Sequence, residues 1–408
     1  MSTIDGTAPR PLPAFHFGRS ARFWIGALAV IVLWGLGVWI YQLTRGLIAT
    51  GMRDEVSWGL YITTFAFFVG LSAGGLIMAS SAEVFGARSL RPLARIGVLS
   101  AAACVLMAAL QIIPDLGRPE RVWELFRYPN WTSPMVWDII IITVYFVFAA
   151  VDLWFMTRRG GDQTRRRRTL RALAYVGLPA AVLLHSITAW IFGLQFARPF
   201  WNTALMAPLF VTSAILSGTA LIAIVALAAQ RFDRLDVPEQ TWSTMRKLLA
   251  TTLAVDLFLV FADYVTILWG NVPRDRAVLD MILPGGSWQI LFWLEWVVGG
   301  LIPFLLLVRS GPVRPRIVGG AAALILIGVY AFRIELVVGG LLKPILWFAP
   351  SVAIGSTGIG SSSFQLTGAY HPTWVEYSIV VGLFAFLALL LTVGATWLRS
   401  LGEAEEPS

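Results

Sequence analysis

The chain has 408 residues, of which 57% are hydrophobic and 13% charged, with mean hydropathy +0.75. Those values exclude an ordinary soluble domain and make lipid the expected solvent. The net charge of +8 does not indicate nucleic-acid binding, because the basic residues sit in short loops between apolar stretches and not on amphipathic elements interleaved with aromatics.

A polar arm over residues 1–22 precedes an apolar stretch too long for a signal-peptide core and without a small-residue cleavage pattern, so a retained first helix is expected. About 20 apolar residues cross the hydrocarbon. Ten segments meet that length: 23–43, 56–80, 93–113, 135–156, 172–195, 205–229, 248–269, 288–308, 317–338 and 375–398. Lipid cannot satisfy free backbone amides, so each must be helical. The fold class is therefore all-α, a polytopic transmembrane protein with a short tail over 399–408.

Most of the 31 lysines and arginines fall on one side of this arrangement, including the run Arg165–Arg168. The bias places both termini in the cytoplasm of a bacterial inner membrane. The opposite loops, 114–134, 197–202, 271–287 and 339–373, carry Trp, Pro and Gly with little net charge, a character suited to packing against another protein. A faint repeat links Phe68-Val69 and Ser72-Ala73-Gly74 of the second span to Phe210-Val211, Ser213-Ala214 and Ser217-Gly218 of the sixth. It suggests two pseudo-repeated four-helix bundles, over about 56–195 and 205–338, flanked by the first and last spans.

An ionised side chain at mid-membrane costs ~2.5–3.5 kcal/mol on insertion scales, so each is a functional candidate. They are Asp138, His185, Asp256, Asp263, Glu295, Arg333 and Glu335. The three histidines are His16 in the arm, His185 in the fifth span and His371 in a loop, too few within spans for a bis-histidine haem. The one cysteine, Cys104, reads as a packing residue and rules out a cysteine-ligated iron–sulfur cluster and a disulfide framework in this chain.

His185 reads either as a helix-bridging hydrogen-bonding residue or as a base for a quinol hydroxyl, a role suited to an imidazole that ordinarily titrates near neutrality. Asp138 is either an acid favoured by the dipole at its helix start or a proton acceptor. Residues 114–121 form a helix-ending turn in which Asp115 bonds local amides, or cap a site mouth with Gln111 one turn inside. Asp256 and Asp263, seven apart, share a helix face. They form a proton path with Glu295, or neutralise Arg333. Arg333 and Glu335, two apart, should find separate partners.

Several stretches resemble the polysulfide reductase membrane subunits, the NrfD/PsrC-like family. They are Trp58-Gly59-Leu60-Tyr61-Ile62-Thr63 with Gly70-Leu71-Ser72-Ala73-Gly74, Asp115-Leu116-Gly117-Arg118-Pro119, and Ser133-Pro134-Met135-Val136-Trp137-Asp138. The likeness continues through His185-Ser186, Ala197-Arg198-Pro199-Phe200-Trp201, Pro208-Leu209-Phe210 and Phe292-Trp293-Leu294-Glu295. Ten spans are similar to the longer branch that includes alternative complex III. The resemblance implies a subunit free of haem and cluster that binds menaquinol or ubiquinol near the periplasmic face. It further implies a periplasmic ferredoxin-like iron–sulfur partner, with a molybdopterin or multihaem cytochrome subunit supplying the terminal chemistry.

Carried onto this chain, the resemblance makes His185 and Asp138 quinol contacts, with Tyr61, Gln111, Asp115 and Arg198 as weaker ones. Asp256, Asp263, Glu295, Arg333 and Glu335 are proton-pathway candidates. Two other readings stay open at this point: a secondary transporter or proton pathway, and a purely structural anchor.

Overall fold

A computed structural model of the chain describes residues 19–53, 56–157, 163–232, 235–342 and 370–402. The arm before residue 19, His16 within it, most of the 339–373 loop and the tail beyond 402 lie outside the described residues. Ten helices are long and apolar enough to cross a membrane. They are α1 (Arg19–Arg45), α2 (Leu60–Val84), α3 (Arg91–Asp115), α4 (Pro134–Thr157) and α5 (Gln163–Gly193). The remainder are α6 (Met206–Arg231), α7 (Glu239–Gly270), α8 (Gln289–Val308), α9 (Pro315–Gly339) and α10 (Trp374–Leu398). All ten expected spans are present, and the described residues contain no strand.

One stretch expected as a loop is not one. Within 271–287 a helix runs Pro273–Ile282. Pro273 occupies the first turn, where its missing N–H costs nothing, Asp275 complements the helix dipole, and Arg276 Nε bonds Asp280 Oδ1 at 2.7 Å.

The helices α2–α5 pack on one another, as do α6–α9, and α1 pairs with α10 outside them. α2 is the hub, in contact with α3, α5, α6, α9 and α10. Of its most apolar window 94% is buried, against 17% for α1, so α2 has no lipid face while α1 is mostly exposed to lipid. Its small residues permit that position. A Cβ built on Gly74 would lie 1.8 Å from Ala214 O, and one on Gly218 would lie 2.4 Å from the carbonyl carbon of Gly74. The matched glycines of the two repeat motifs thus meet backbone to backbone, the close approach that small residues give membrane helices.

α4 shows the opposite economy. Its buried positions, Val136, Asp138, Ile142, Tyr145, Ala149 and Asp152, form one stripe at heptad-like spacing. The stripe turns two carboxyl groups inward and leaves residues such as Val144 and Val147 exposed.

α10 is fastened at its start by Thr373-Trp374-Val375-Glu376, a Ser/Thr-x-x-Glu capping pattern. Glu376 Oε2 accepts from Thr373 N at 3.0 Å and from Gly51 N at 2.6 Å, and Oε1 accepts from the Tyr370 hydroxyl. Tyr370 in turn accepts from Leu60 N at 2.7 Å. Burial, then the adjacent Glu376 charge, hold the Tyr370 phenol above its ordinary range, so it remains a donor.

Candidate functional site

The candidate residues gather into two buried groups. The larger lies between α5, α6, α7, α8 and α9. His185 is fully buried, eight residues or ~12 Å inside the C-terminal end of α5. Its ring lies against Gly70 of α2, where a Cβ would come within 3.4 Å of Nε2, and 5.0 Å from the Phe210 ring.

Arg333 Nη2 reaches His185 Nε2 at 3.4 Å and donates to Ser213 Oγ, while its guanidinium carbon stands 3.9 Å from the centre of the Phe210 ring. A guanidinium only donates, so His185 Nε2 must present its lone pair and Nδ1 carries the hydrogen. That Nδ1 has no partner, nor do Arg333 Nε and Nη1.

Asp256 and Glu295 lie within electrostatic reach of Arg333, yet none of the candidate acids forms an ion pair with it among the described residues. Direct neutralisation of Arg333 is therefore absent. Asp256 Oδ1 is buried without a partner.

Glu335 accepts from the Tyr264 hydroxyl, and Glu295 on the neighbouring α8 lies within electrostatic reach of it. Oε2 of each glutamate lacks a partner. Both glutamates stand on π-helical turns, Trp293–Leu301 in α8 and Glu335–Gly339 in α9. Such insertions are rare and concentrate at functional sites. The expected separation of Arg333 from Glu335 holds, because each turns to a different helix.

Asp263 is held by Thr203 Oγ1 at 2.8 Å and lines, with Tyr264 and Glu335, a crevice of about 10 Å³, close to the room needed for one water. Asp138 joins this group from α4. It lies beyond the first turn of α4, so the helix dipole does not account for it. Its Oδ1 accepts from Thr188 at 2.6 Å, and Thr188 is one turn C-terminal to His185 on α5. The two leading candidates therefore meet the same helix one turn apart.

Tyr61, Gln111 and Asp115 belong to the second group, towards α1 and α10. Tyr61 donates to Gln42 Oε1 at 2.6 Å, and Gln42 Nε2 donates to Pro114 O at 2.7 Å. Asp115 Oδ1 is buried and unpartnered rather than bonded to local amides, and both amide atoms of the fully buried Gln111 are unpartnered too. Thr64 and Tyr330, which share a hydrogen bond of 2.8 Å, link the groups one turn from Tyr61 and one turn from Arg333.

Arg198 stands apart from both. It donates to Gly340 O at 3.2 Å and lies 5.9 Å from the Trp201 ring, whose Nε1 bonds Leu336 O at 2.7 Å. It fastens the α5–α6 connection to the end of α9.

Three further buried residues were missed in the sequence: Gln42, and the acids Asp152 and Glu376, although both acids lie within the apolar spans 135–156 and 375–398. Gln42 carries no charge to attract notice. Asp152 lies two heptads from Asp138, a spacing that reveals their common stripe. Glu376 is signalled by its place within the last span and by the capping pattern ahead of it.

Comparison with known proteins fits this architecture. A family model, "Polysulphide reductase, NrfD", matches residues 48–344. The chain is 36% identical to a putative dimethyl sulfoxide reductase membrane subunit of Halobacterium salinarum, over 98% of this chain and 95% of that protein. It is 24% identical to a selenate reductase subunit of Mesobacillus selenatarsenatis, covering 91% and 92% of the two chains. It is also 24% identical to the integral membrane subunit of menaquinone reductase from Nitratidesulfovibrio vulgaris, covering 92% and 90%. An integral, multi-pass membrane protein of ten apolar helices, the chain belongs to the polysulphide reductase NrfD family.

Proposed function

We propose that the chain is the quinol-binding membrane subunit of a respiratory oxidoreductase, exchanging electrons between the quinone pool and an iron–sulfur subunit of ferredoxin type on the periplasmic face. The observation that carries this reading is the buried array from Asp138 through His185 and Arg333 to Glu295 and Glu335. Buried groups that can take or give a proton gather there, with hydrogen-bonding capacity unspent. Oxidation of a quinol releases two electrons and two protons. Asp138 accepts the proton of one hydroxyl, and the Nδ1 hydrogen of His185 bonds the other oxygen and orients the ring.

The second proton passes to a buried carboxylate of the array, Asp256, Glu295 or Glu335, each of which keeps an oxygen without a partner, and Asp263 lines the crevice beside Glu335. The electrons pass to the partner. Residues 116–133 expose Trp123, Phe126, Tyr128 and Trp131, an aromatic rim between bilayer and partner. A molybdopterin or multihaem subunit then decides the terminal substrate, in line with relatives named for dimethyl sulfoxide, selenate and menaquinone.

The test is quinol oxidation by the purified complex with an artificial electron acceptor. His185→Gln and Asp138→Asn are each expected to lower kcat/KM by about 100-fold, the size of a lost general acid–base contribution, while the complex stays assembled. Full quinol-linked activity in both variants would overturn the assignment.

A further inference from the structure

At the basic ends of the second bundle, α6 and α9 meet where Leu227 presses on Gly319. A Cβ on Gly319 would lie 2.4 Å from Leu227 Cδ2. Leu227 also lines a cavity of about 760 Å³, together with Val313 and Ile317 and the cationic side chains of Arg231, Arg314 and Arg316. That volume lies within the range of small-ligand sites, roughly 300–1,000 Å³. A smaller cavity of about 120 Å³ shares Val313, Arg314 and Ile317 with it and adds Arg246 and Arg309. Arg246 Nη1 donates to Arg309 O at 3.3 Å, which holds α7 against the α8–α9 turn.

Among the described residues, no acid lines either cavity. Among the described residues, none of these five arginines forms an ion pair. Orientation in the membrane requires positive charge but not concavity. Arg165, Arg167 and Arg168 supply such charge as exposed side chains on the first turns of α5. The α6–α9 arginines are arranged differently: they surround two joined hollows at helix ends, each with an apolar side.

We propose that this groove binds an anionic phospholipid carrying two phosphates, one in each hollow with Arg314 between them, and with its acyl chains along Leu227, Val313 and Ile317. Basic pockets between membrane helices on the positively charged face are suited to such headgroups. The inference is independent of the quinol reading, since it uses none of the same residues.

Native mass spectrometry of the detergent-purified complex, titrated with cardiolipin, phosphatidylglycerol, phosphatidylcholine or inorganic pyrophosphate, tests it. Cardiolipin should bind more tightly than phosphatidylglycerol, and phosphatidylcholine least. Arg314→Gln should weaken cardiolipin binding about fivefold, the double variant Arg231→Gln/Arg316→Gln by more, and Arg165→Gln/Arg168→Gln by little. Arg314→Lys should keep most of the binding. If Arg314→Gln fails to assemble, the double variant gives the same reading. Equal binding of cardiolipin and phosphatidylcholine, or equal effects of the groove and α5 substitutions, would overturn the proposal. So would full displacement of cardiolipin by equimolar pyrophosphate, which would mark a soluble-anion site.

Discussion

Two buried glutamate sites in this molecule are built on opposite terms. Glu376, at the start of α10, is wholly buried and accepts from Gly51 N, Thr373 N and the Tyr370 hydroxyl. The Glu295–Glu335 pair, near Arg333, leaves one oxygen on each carboxyl and two guanidinium nitrogens without partners. A buried polar group with every bond made fixes structure, whereas one with bonds to spare is costly to keep and is retained for what it can bind or transfer. The difference separates a residue that ties α10 to α2 from residues proposed above to handle protons.

The largest expected effect tests the first half of that contrast. Glu376→Ala strands three donors in a dry interior, at roughly 1–3 kcal/mol for each unsatisfied group. The complex should lose several kcal/mol of stability or fail to assemble, read as a fall in Tm. Wild-type stability would erase the distinction.

Next is Arg333→Met, which replaces an under-bonded charge by an apolar side chain of similar length. Such exchanges are often neutral or stabilising, so stability should stay within about 1.5 kcal/mol while quinol-linked kcat falls about 100-fold or more. A variant as unstable as Glu376→Ala but still active would reverse the roles.

The smallest effect concerns Asp275, on the helix outside the spans. Burial, then the charge of Asp263, hold its carboxyl above the usual carboxylate range. A raised folded pKa means that the native state binds more protons, so stability falls as pH rises from the unfolded value through the folded one. Asp275→Asn should flatten that part of the pH–stability curve, and an unchanged slope would show that Asp275 is not its source.

The ten spans were legible because lipid imposes length and hydropathy on the sequence directly. The acids and Arg333 were legible for the same reason, since charge in an apolar run stands out. Partners were not. Nothing near Asp138 in the sequence announces Thr188, and nothing near Arg333 announces Ser213, because those contacts depend on helix rotation. The π-helical turns at Glu295 and Glu335 change that rotation without any proline or glycine signal at the glutamates themselves. The 273–282 helix was hidden by the reading of Pro and Gly as loop markers, although Pro273 sits where a helix begins.

The contact between Gly74 and Gly218 also bears on how the molecule can move. A carrier that exposes its cargo first to one side and then to the other must let its two halves swing or slide past each other. Here the halves meet through bare backbone, at distances where even a methyl group would not fit. Such a joint leaves little room for α2 and α6 to slide past each other, so the proton transfer proposed above would run between side chains on a fixed scaffold.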